Sequence, residues 1–284
     1  MINLVDVTHK FTRKLGLDSD FYNLPYDVKI STITITCKLK DTTINVKTIG
    51  HYMDLNMKDI VYVKYGPDNI LRTLIKLKQS YKTKTKKNFQ NQVSVMIKLK
   101  NGRLIHVKLF LNGSIQMTGC KTIFNFVEAM TVLCKKLLTF KFAYDLVTKK
   151  TVRKTFVSGS DNVKIDKITK LKIRMINSNF HVGFMIDRVI LYRLLLEKEF
   201  ECSYDQCSHA GVNLKYKKGN DTISIFVFES GSVIITGVKN KQYIFDAYEF
   251  IVKLLYENFN RLIKIDAEKL LERRDVKKLL IEGN

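Results

Sequence analysis

Between residues 28 and 39 apolar and polar side chains alternate: Ser31, Ile33, Ile35 and Cys37 fall on one side of an extended chain, and Ile30, Thr32, Thr34 and Thr36 fall on the other. A period of two is that of a strand with one face buried. The pattern returns on both sides of Asn112-Gly113, where Val107, Leu109, Ile115 and Met117 can face a core, sending Lys108, Phe110, Gln116 and Thr118 to the opposite face. An Asn-Gly pair between two alternating runs predicts a hairpin. The period then changes. Ile123, Phe126, Met130, Leu133 and Leu137 follow one another at spacings of three and four, the stripe of an amphipathic helix.

This succession occurs twice. LFLNGSIQMTGCK (109–121) set over VFESGSVIITGVK (227–239) gives identities at Phe110/Phe228, Gly113/Gly231, Ser114/Ser232, Thr118/Thr236, Gly119/Gly237 and Lys121/Lys239, all at an offset of 118 residues. A helical stripe of Ile244, Tyr248, Ile251 and Leu255 follows the second copy as well. A duplicated unit is therefore expected, each half an antiparallel sheet backed on one face by a helix, in the α+β class. In the second half the outer row reads Phe226, Phe228, Ile234 and Thr236. Apolar rings on an uncovered sheet face point to something that covers them.

Three segments stand outside the repeats. Residues 1–25 read as a polar N-terminal arm, and residues 259–284 as a charged helical tail with Leu262, Ile265, Leu270, Leu271 and Leu279 among its charges. Residues 69–100 hold nine basic residues and no acid, which places a basic insertion at about 66–92 in the first half. The expected organisation is thus a first repeat over 26–143, a linker over 144–165 and a second repeat over 166–258.

Charge narrows the function. The 284 residues include 49 Lys+Arg and 27 Asp+Glu, a formal net charge of +22, while 45% hydrophobic residues suffice for a real core. That excludes a disordered polybasic tail and calls for a polyanionic partner, most simply nucleic acid. Lysines outnumber arginines 39 to 10, and with 2 prolines and no tryptophan the composition also carries the stamp of an AT-rich genome. No apolar run approaches a membrane span, and MINLVDVTHKFTRK lacks the order of a secretory signal, so an intracellular protein without a membrane partner is expected. Five cysteines, at 37, 120, 134, 202 and 207, are an odd number without repeated spacing and read as reduced, buried thiols.

The repeated residues resemble those of the TATA-box-binding proteins, whose two repeats each carry a Phe–small–Ser-Gly–Lys–hydrophobic–Thr-Gly-Ala-Lys signature followed by a helix. FESGSVIITGVK with IFDAYEFIVKLL is the nearer match, FLNGSIQMTGCK the looser one, and TITITCKL (32–39) with INVKTIGHYM (44–53) resembles the family's first strand and helix. The resemblance covers about 26–140 and 166–258. It implies a pseudo-twofold saddle whose concave antiparallel sheet presses into the DNA minor groove, with helices on the convex side for partners. Apolar wedges that unstack base steps in a widened minor groove are the known device of this very family.

Carried over by position, the resemblance makes Phe110 and Phe228 wedges, and Ile30, Thr32, Thr118, Phe226, Ile234 and Thr236 groove-floor contacts, with Lys108 and Gln116 in the corresponding places of the first repeat. It assigns phosphates to Lys121 and Lys239, and to Lys98 and Lys215 where the family has arginines. It implies no enzyme activity and no cofactor. The implied partners are AT-rich duplex DNA, a transcription factor IIB-like protein and RNA polymerase, in the nucleus or a cytoplasmic viral factory.

Several positions depart from the family. The second wedges align with Gln92 and His209, with Phe89 near enough to replace one, and two groove-centre asparagines align with Val28 and Ile173. Lysines after the hairpin glycines are Ser114 and Ser232, and a leucine before the first wedge is Lys108. Such drift, with the AT-rich composition, fits the versions carried by large DNA viruses. It also keeps open a scaffold that has given up specific DNA binding, and a sheet that stacks single-stranded DNA or RNA on its aromatics. Cys202, Cys207 and His209 lack the partner pair of a zinc site. The histidines at 9, 51, 106, 181 and 209 form no repeated catalytic constellation, and the recurring acids Glu128 and Asp246 suit solvent or partner contact on the helix.

Overall fold

The structure, a computed structural model, describes residues 3–17, 21–25, 27–76, 89–145, 148–207 and 210–265. The chain divides into two compact units, Met1–Tyr22 with Ser31–Ile176, and Asn23–Ile30 with Asn177–Asn284.

The first unit contains, in chain order, α1 (Leu4–Lys14), most of β1 (Lys29–Leu39), β2 (Thr43–Ile44), α2 (Val46–Tyr52), β3 (Ile60–Tyr65), β4 (Ile70–Thr73) and β5 (Gln92–Lys98). It continues with β6 (Leu104–Phe110), β7 (Ser114–Cys120), α3 (Ile123–Leu137), β8 (Phe140–Asp145), β9 (Lys150–Thr155), β10 (Val157–Ser158) and the start of β11 (Ile168–His181). Its sheet runs β4-β3-β5-β6-β7-β1, antiparallel throughout, with β11 beside β1. The second unit takes the end of β11, then α4 (Arg188–Glu197), β12 (Cys202–Ser203), β13 (Gly211–Lys218), β14 (Asp221–Phe228), β15 (Ser232–Val238), α5 (Lys241–Glu257) and the single turn α6 (Phe259–Leu262). Its sheet order is β12-β13-β14-β15-β11. The expected α+β class and the duplication are both present, β6-β7-α3 matching β14-β15-α5 at the offset of 118.

The alternation found in the sequence is the alternation of burial. Val107, Leu109, Ile115 and Met117 in one unit, and Ile225, Val227, Val233 and Ile235 in the other, are at most 1% exposed. They meet Phe126, Met130 and Leu133 of α3, or Ile244, Ile251 and Leu255 of α5, all equally buried. Complete burial of one such side chain stabilises by roughly 1.5–3 kcal/mol, so these rows fix the strand register. Each helix starts on a side-chain cap at the same repeat position. The Asn125 N–H donates to Thr122 Oγ1 (3.2 Å) and the Tyr243 N–H donates to Asn240 Oδ1 (2.9 Å).

The two hairpin glycines serve the same contact twice. Gly113 has φ +82° and Gly231 has φ +85°, and a side chain at either would collide with a loop carbonyl, Thr42 O in the first unit and Phe184 O in the second. Beside them Leu39 N–H donates to Gly113 O, and Val182 N–H to Gly231 O, both at 3.0 Å. The loop after the first strand of each repeat is thereby pinned beneath the hairpin. Only glycine permits that approach.

Four details differ from the sequence reading. The N-terminal arm contains α1, capped by Asn3 and docked by one buried residue, Phe11, whose ring meets Phe126 edge-on at 5.9 Å. A helix with a single core contact leaves little periodicity to read. The stretch 144–165 is not a linker between units: Phe156, Val163 and Ile165 are core residues of the first unit, Val157 pairs with Ile44, and the units divide inside β11. Within the basic insertion, β4 forms a hairpin with β3, while 77–88 lies outside the described residues, as does 266–284 of the tail. Cysteines 37, 120 and 134 are buried as expected, burial pushing the thiols of Cys120 and Cys134 up to about 12, but Cys202 is half-buried and Cys207 exposed.

Candidate nucleic-acid interface

The outer faces of the two sheets carry the residues singled out above. In the first unit Lys64, Ser94, Lys108, Gln116 and Thr36 stand side by side across β3, β5, β6, β7 and β1. Arg174 Nε donates to Thr36 Oγ1 at 2.9 Å and extends this polar, cationic row. The next row holds Tyr62, Met96, His106 and Thr118, with Thr34 Oγ1 donating to Thr118 Oγ1 at 3.4 Å. Burial, and secondarily the Lys108 ammonium, hold the His106 imidazole below its usual pKa. At the rim of the sheet Phe110 sits opposite Gln92.

The second unit presents a different chemistry at the same places. Asn213, Phe226 and Ile234 form one row; Lys215, Ser224 and Thr236 form the next. Lys215 Nζ donates to Ser224 Oγ at 2.7 Å, and Thr236 Oγ1 donates to Asn177 Oδ1 at 2.6 Å. Phe228 sits opposite Gly211, whose missing side chain leaves room for the ring. Phe226, Phe228, Ile234 and Thr236 are half-buried, between buried inner neighbours.

Among the residues assigned to phosphates, Lys121 is exposed just before α3, and Lys239 is exposed but ion-paired with Asp221. Lys98 lies at the end of β5, opposite Leu104, and lines a groove of about 720 Å³ with Lys58, Lys100, Lys135 and Glu128 on the helix-bearing side. By strand register Lys98 and Lys215 are not equivalent positions of the two repeats. Gln92 faces Phe110 and Gly211 faces Phe228, so Lys98 matches Lys217, which pairs with Glu201 at 3.1 Å, and Lys215 matches Met96. By the same register the counterpart of Gln92 is Gly211; His209 lies outside the described residues.

Ile30 and Thr32 are half-buried, and Thr32 Oγ1 accepts the Gly119 N–H at 2.9 Å, which ties it to the irregular pairing of β1 with β7. Val28, aligned with a groove-centre asparagine, is buried, while Ile173 is half-buried. Lys64, Ser94, His106 and Asn213 share the outer faces and were missed. Alternation on β3, β5, β6 and β13 would have found them once the register was known.

The repeated acids are structural. Glu128 is 7% exposed and accepts the Lys100 N–H at 2.9 Å; Asp246 pairs with the Lys218 ammonium at 3.2 Å. Both partners and both acids are 118 residues apart, so each helix acid reaches the same hairpin position, through a backbone N–H in the first unit and an ammonium in the second. Neither acid is free for the solvent or partner contact expected of it. Among the described residues no group of three His, Cys, Asp or Glu side chains is placed to hold a metal ion, and no helix is long and apolar enough to cross a membrane.

Comparison with known proteins gives the family. The family model for transcription factor TFIID (or TATA-binding protein, TBP) matches residues 170–258. A TATA-box-binding protein-like protein of Acanthamoeba polyphaga mimivirus is 35% identical over 277 residues, 91% of this chain and 73% of the relative. The chain belongs to the TATA-box-binding-protein-like family. A solved structure of the TBP of Methanococcus jannaschii aligns with a TM-score of 0.49 at 16% identity, over 81% of this chain and 99% of that one. The family match by sequence falls on the second repeat, the half with the apolar outer row.

Proposed function

We propose that this TBP-like protein is a transcription initiation factor that binds and bends duplex DNA through the outer faces of its sheets and recruits a transcription factor IIB-like protein and RNA polymerase. One observation carries the reading. Phe226, Phe228 and Ile234 sit uncovered on a sheet face beside Thr236 and Asn177, a dehydrating surface with a few polar groups, as a minor-groove floor requires. Phe228 is the wedge. Phe110, with Gln92 beside it, is the weaker one.

Lys121, Lys239 and Lys108 act on phosphates, and the net charge of +22 makes association steep in salt. The protein is non-enzymatic and works where its promoters are transcribed, in the nucleus or a viral factory. A second reading, a scaffold for protein partners, draws on the polar first-repeat row of Lys64, Ser94, Lys108 and Gln116. Electrophoretic binding to AT-rich duplex, with GC-rich and single-stranded competitors, decides between them. Preference for the AT-rich duplex supports the first reading; equal or absent binding of all three supports the scaffold.

A further inference from the structure

The hairpin β8–β9 stands apart from the main sheet of its unit as a separate two-stranded ribbon. Its register places Phe140, Phe142 and Tyr144 on one face, opposite Thr155, Arg153 and Thr151. These rings are 44%, 66% and 61% exposed, too open to serve as core. Phe140 and Phe142 meet edge-on at 5.5 Å, and the Arg153 guanidinium lies over the Phe140 ring at 4.1 Å. On the other face Lys141 pairs with Asp54 of the same unit, which anchors the ribbon from behind.

A row of aromatics in water needs an occupant, and its surroundings indicate which. Among the described residues of the ribbon no aliphatic side chain shares this face; the companions are Arg153 and two threonines. Over 140–155 there are five basic residues and one acid; Arg153 shares the face of the rings, while Lys141, Lys150 and Lys154 stand on the opposite face of the same narrow ribbon. Rings at alternate strand positions recur every ~6.8 Å, and strand-borne aromatics at this repeat stack successive bases of a single strand in sheet-type binders. Cationic charge beside open π-faces suits a polyanion with unstacked bases better than an aliphatic protein surface.

We propose that the β8–β9 hairpin is a second nucleic-acid contact, a stacking platform for unpaired bases of single-stranded DNA, separate from the sheet faces assigned to duplex. It does not rest on the duplex reading. Phe142 and Tyr144 stack bases, Phe140 is held in place by Arg153, and the net positive charge of the ribbon attracts the phosphates.

Because the chain has no tryptophan, Phe142→Trp in the full protein introduces a single selective fluorophore at the platform. A short oligothymidylate should quench it, and quenching should persist when Phe228→Ala is added. Replacing Phe142 and Tyr144 together by alanine should weaken oligothymidylate binding by about tenfold or more, as loss of base stacking does, with duplex affinity and melting temperature unchanged. An unquenched tryptophan, or oligothymidylate affinity unaffected by the double substitution, overturns the proposal. Equal losses for single strand and duplex would reduce the hairpin to general electrostatics and overturn it too. A dimer that the double substitution dissociates, with oligonucleotide binding intact, would assign the rings to a second copy of the chain. Failure of duplex binding leaves this test untouched.

Discussion

The Phe228 ring lies against Gly211, so closely that a Cβ on the glycine would sit 3.1 Å from two ring carbons. The backbone of β13 thus supports the ring from one side, and the residue as a whole is half-buried. Phe228→Ala should lower duplex affinity by tenfold or more and reduce the bend. Unfolding stability should change by only about 1 kcal/mol, since a half-exposed ring contributes little to the core. Energy-transfer bend measurements with chemical denaturation check this; a loss of several kcal/mol would place the ring in the core.

The two repeats should respond unequally. Burying Lys108 or Gln116 against base edges without a partner costs about 1–3 kcal/mol each, whereas Phe226 and Ile234 carry no such penalty. Phe228→Ala should therefore weaken duplex binding clearly more than Phe110→Ala, and the gap should widen as salt screens the cationic first face. Titrations of both variants at several salt concentrations measure it. Equal losses throughout would mean a symmetric grip.

Lys121→Ala and Lys239→Ala should each weaken binding to all sequences alike and lower the slope of log affinity against log salt by about one. Removing Lys239 also removes its pair with Asp221, but an exposed pair is worth little, about 0–1 kcal/mol. A sequence-dependent loss would contradict phosphate contact.

Gly231→Ala and Gly113→Ala should destabilise their units by about 2–4 kcal/mol, combining a left-handed backbone with a clash against Phe184 O or Thr42 O. Urea denaturation reads this directly. A change below about 1 kcal/mol would show that the loop beneath the hairpin yields.

His106 makes stability depend on pH in a defined direction. Its folded pKa is depressed by burial and then by Lys108, so the unfolded chain takes up the proton first as pH falls. The contribution is fully present above about 6.5, the unfolded value, and is lost as pH falls through the folded one. His106→Gln should shrink the loss of stability between about pH 7 and 5. An unchanged loss would mean that His106 carries none of it.

What the sequence made legible was whatever repeats with a period. The inner rows around Leu109 and Val227 and the stripes of α3 and α5 follow from alternation and helical spacing, because burial enforces both. The outer row followed by subtraction. Register across strands was not readable, since it depends on hairpin geometry; hence the sequence aligns a second wedge with His209, where the register puts Gly211 opposite Phe228. Helix α1 buries one residue, Phe11, and the Glu128 and Asp246 contacts join residues far apart in sequence, so neither left a local signal.

The docking of Gly113 and Gly231 has an evolutionary reading. After duplication, both copies kept a left-handed glycine over a loop carbonyl, a side-chain cap at the same position before the helix and a carboxylate at the same helix position holding the hairpin. The solvent-facing residues drifted apart, Lys108 from Phe226 and Gln116 from Ile234. Inheritance acted here on backbone fit, leaving the outer surface as an exchangeable veneer. Grafting phenylalanine and isoleucine onto positions 108 and 116 would re-dress the first repeat in the chemistry of the second without disturbing a single buried side chain.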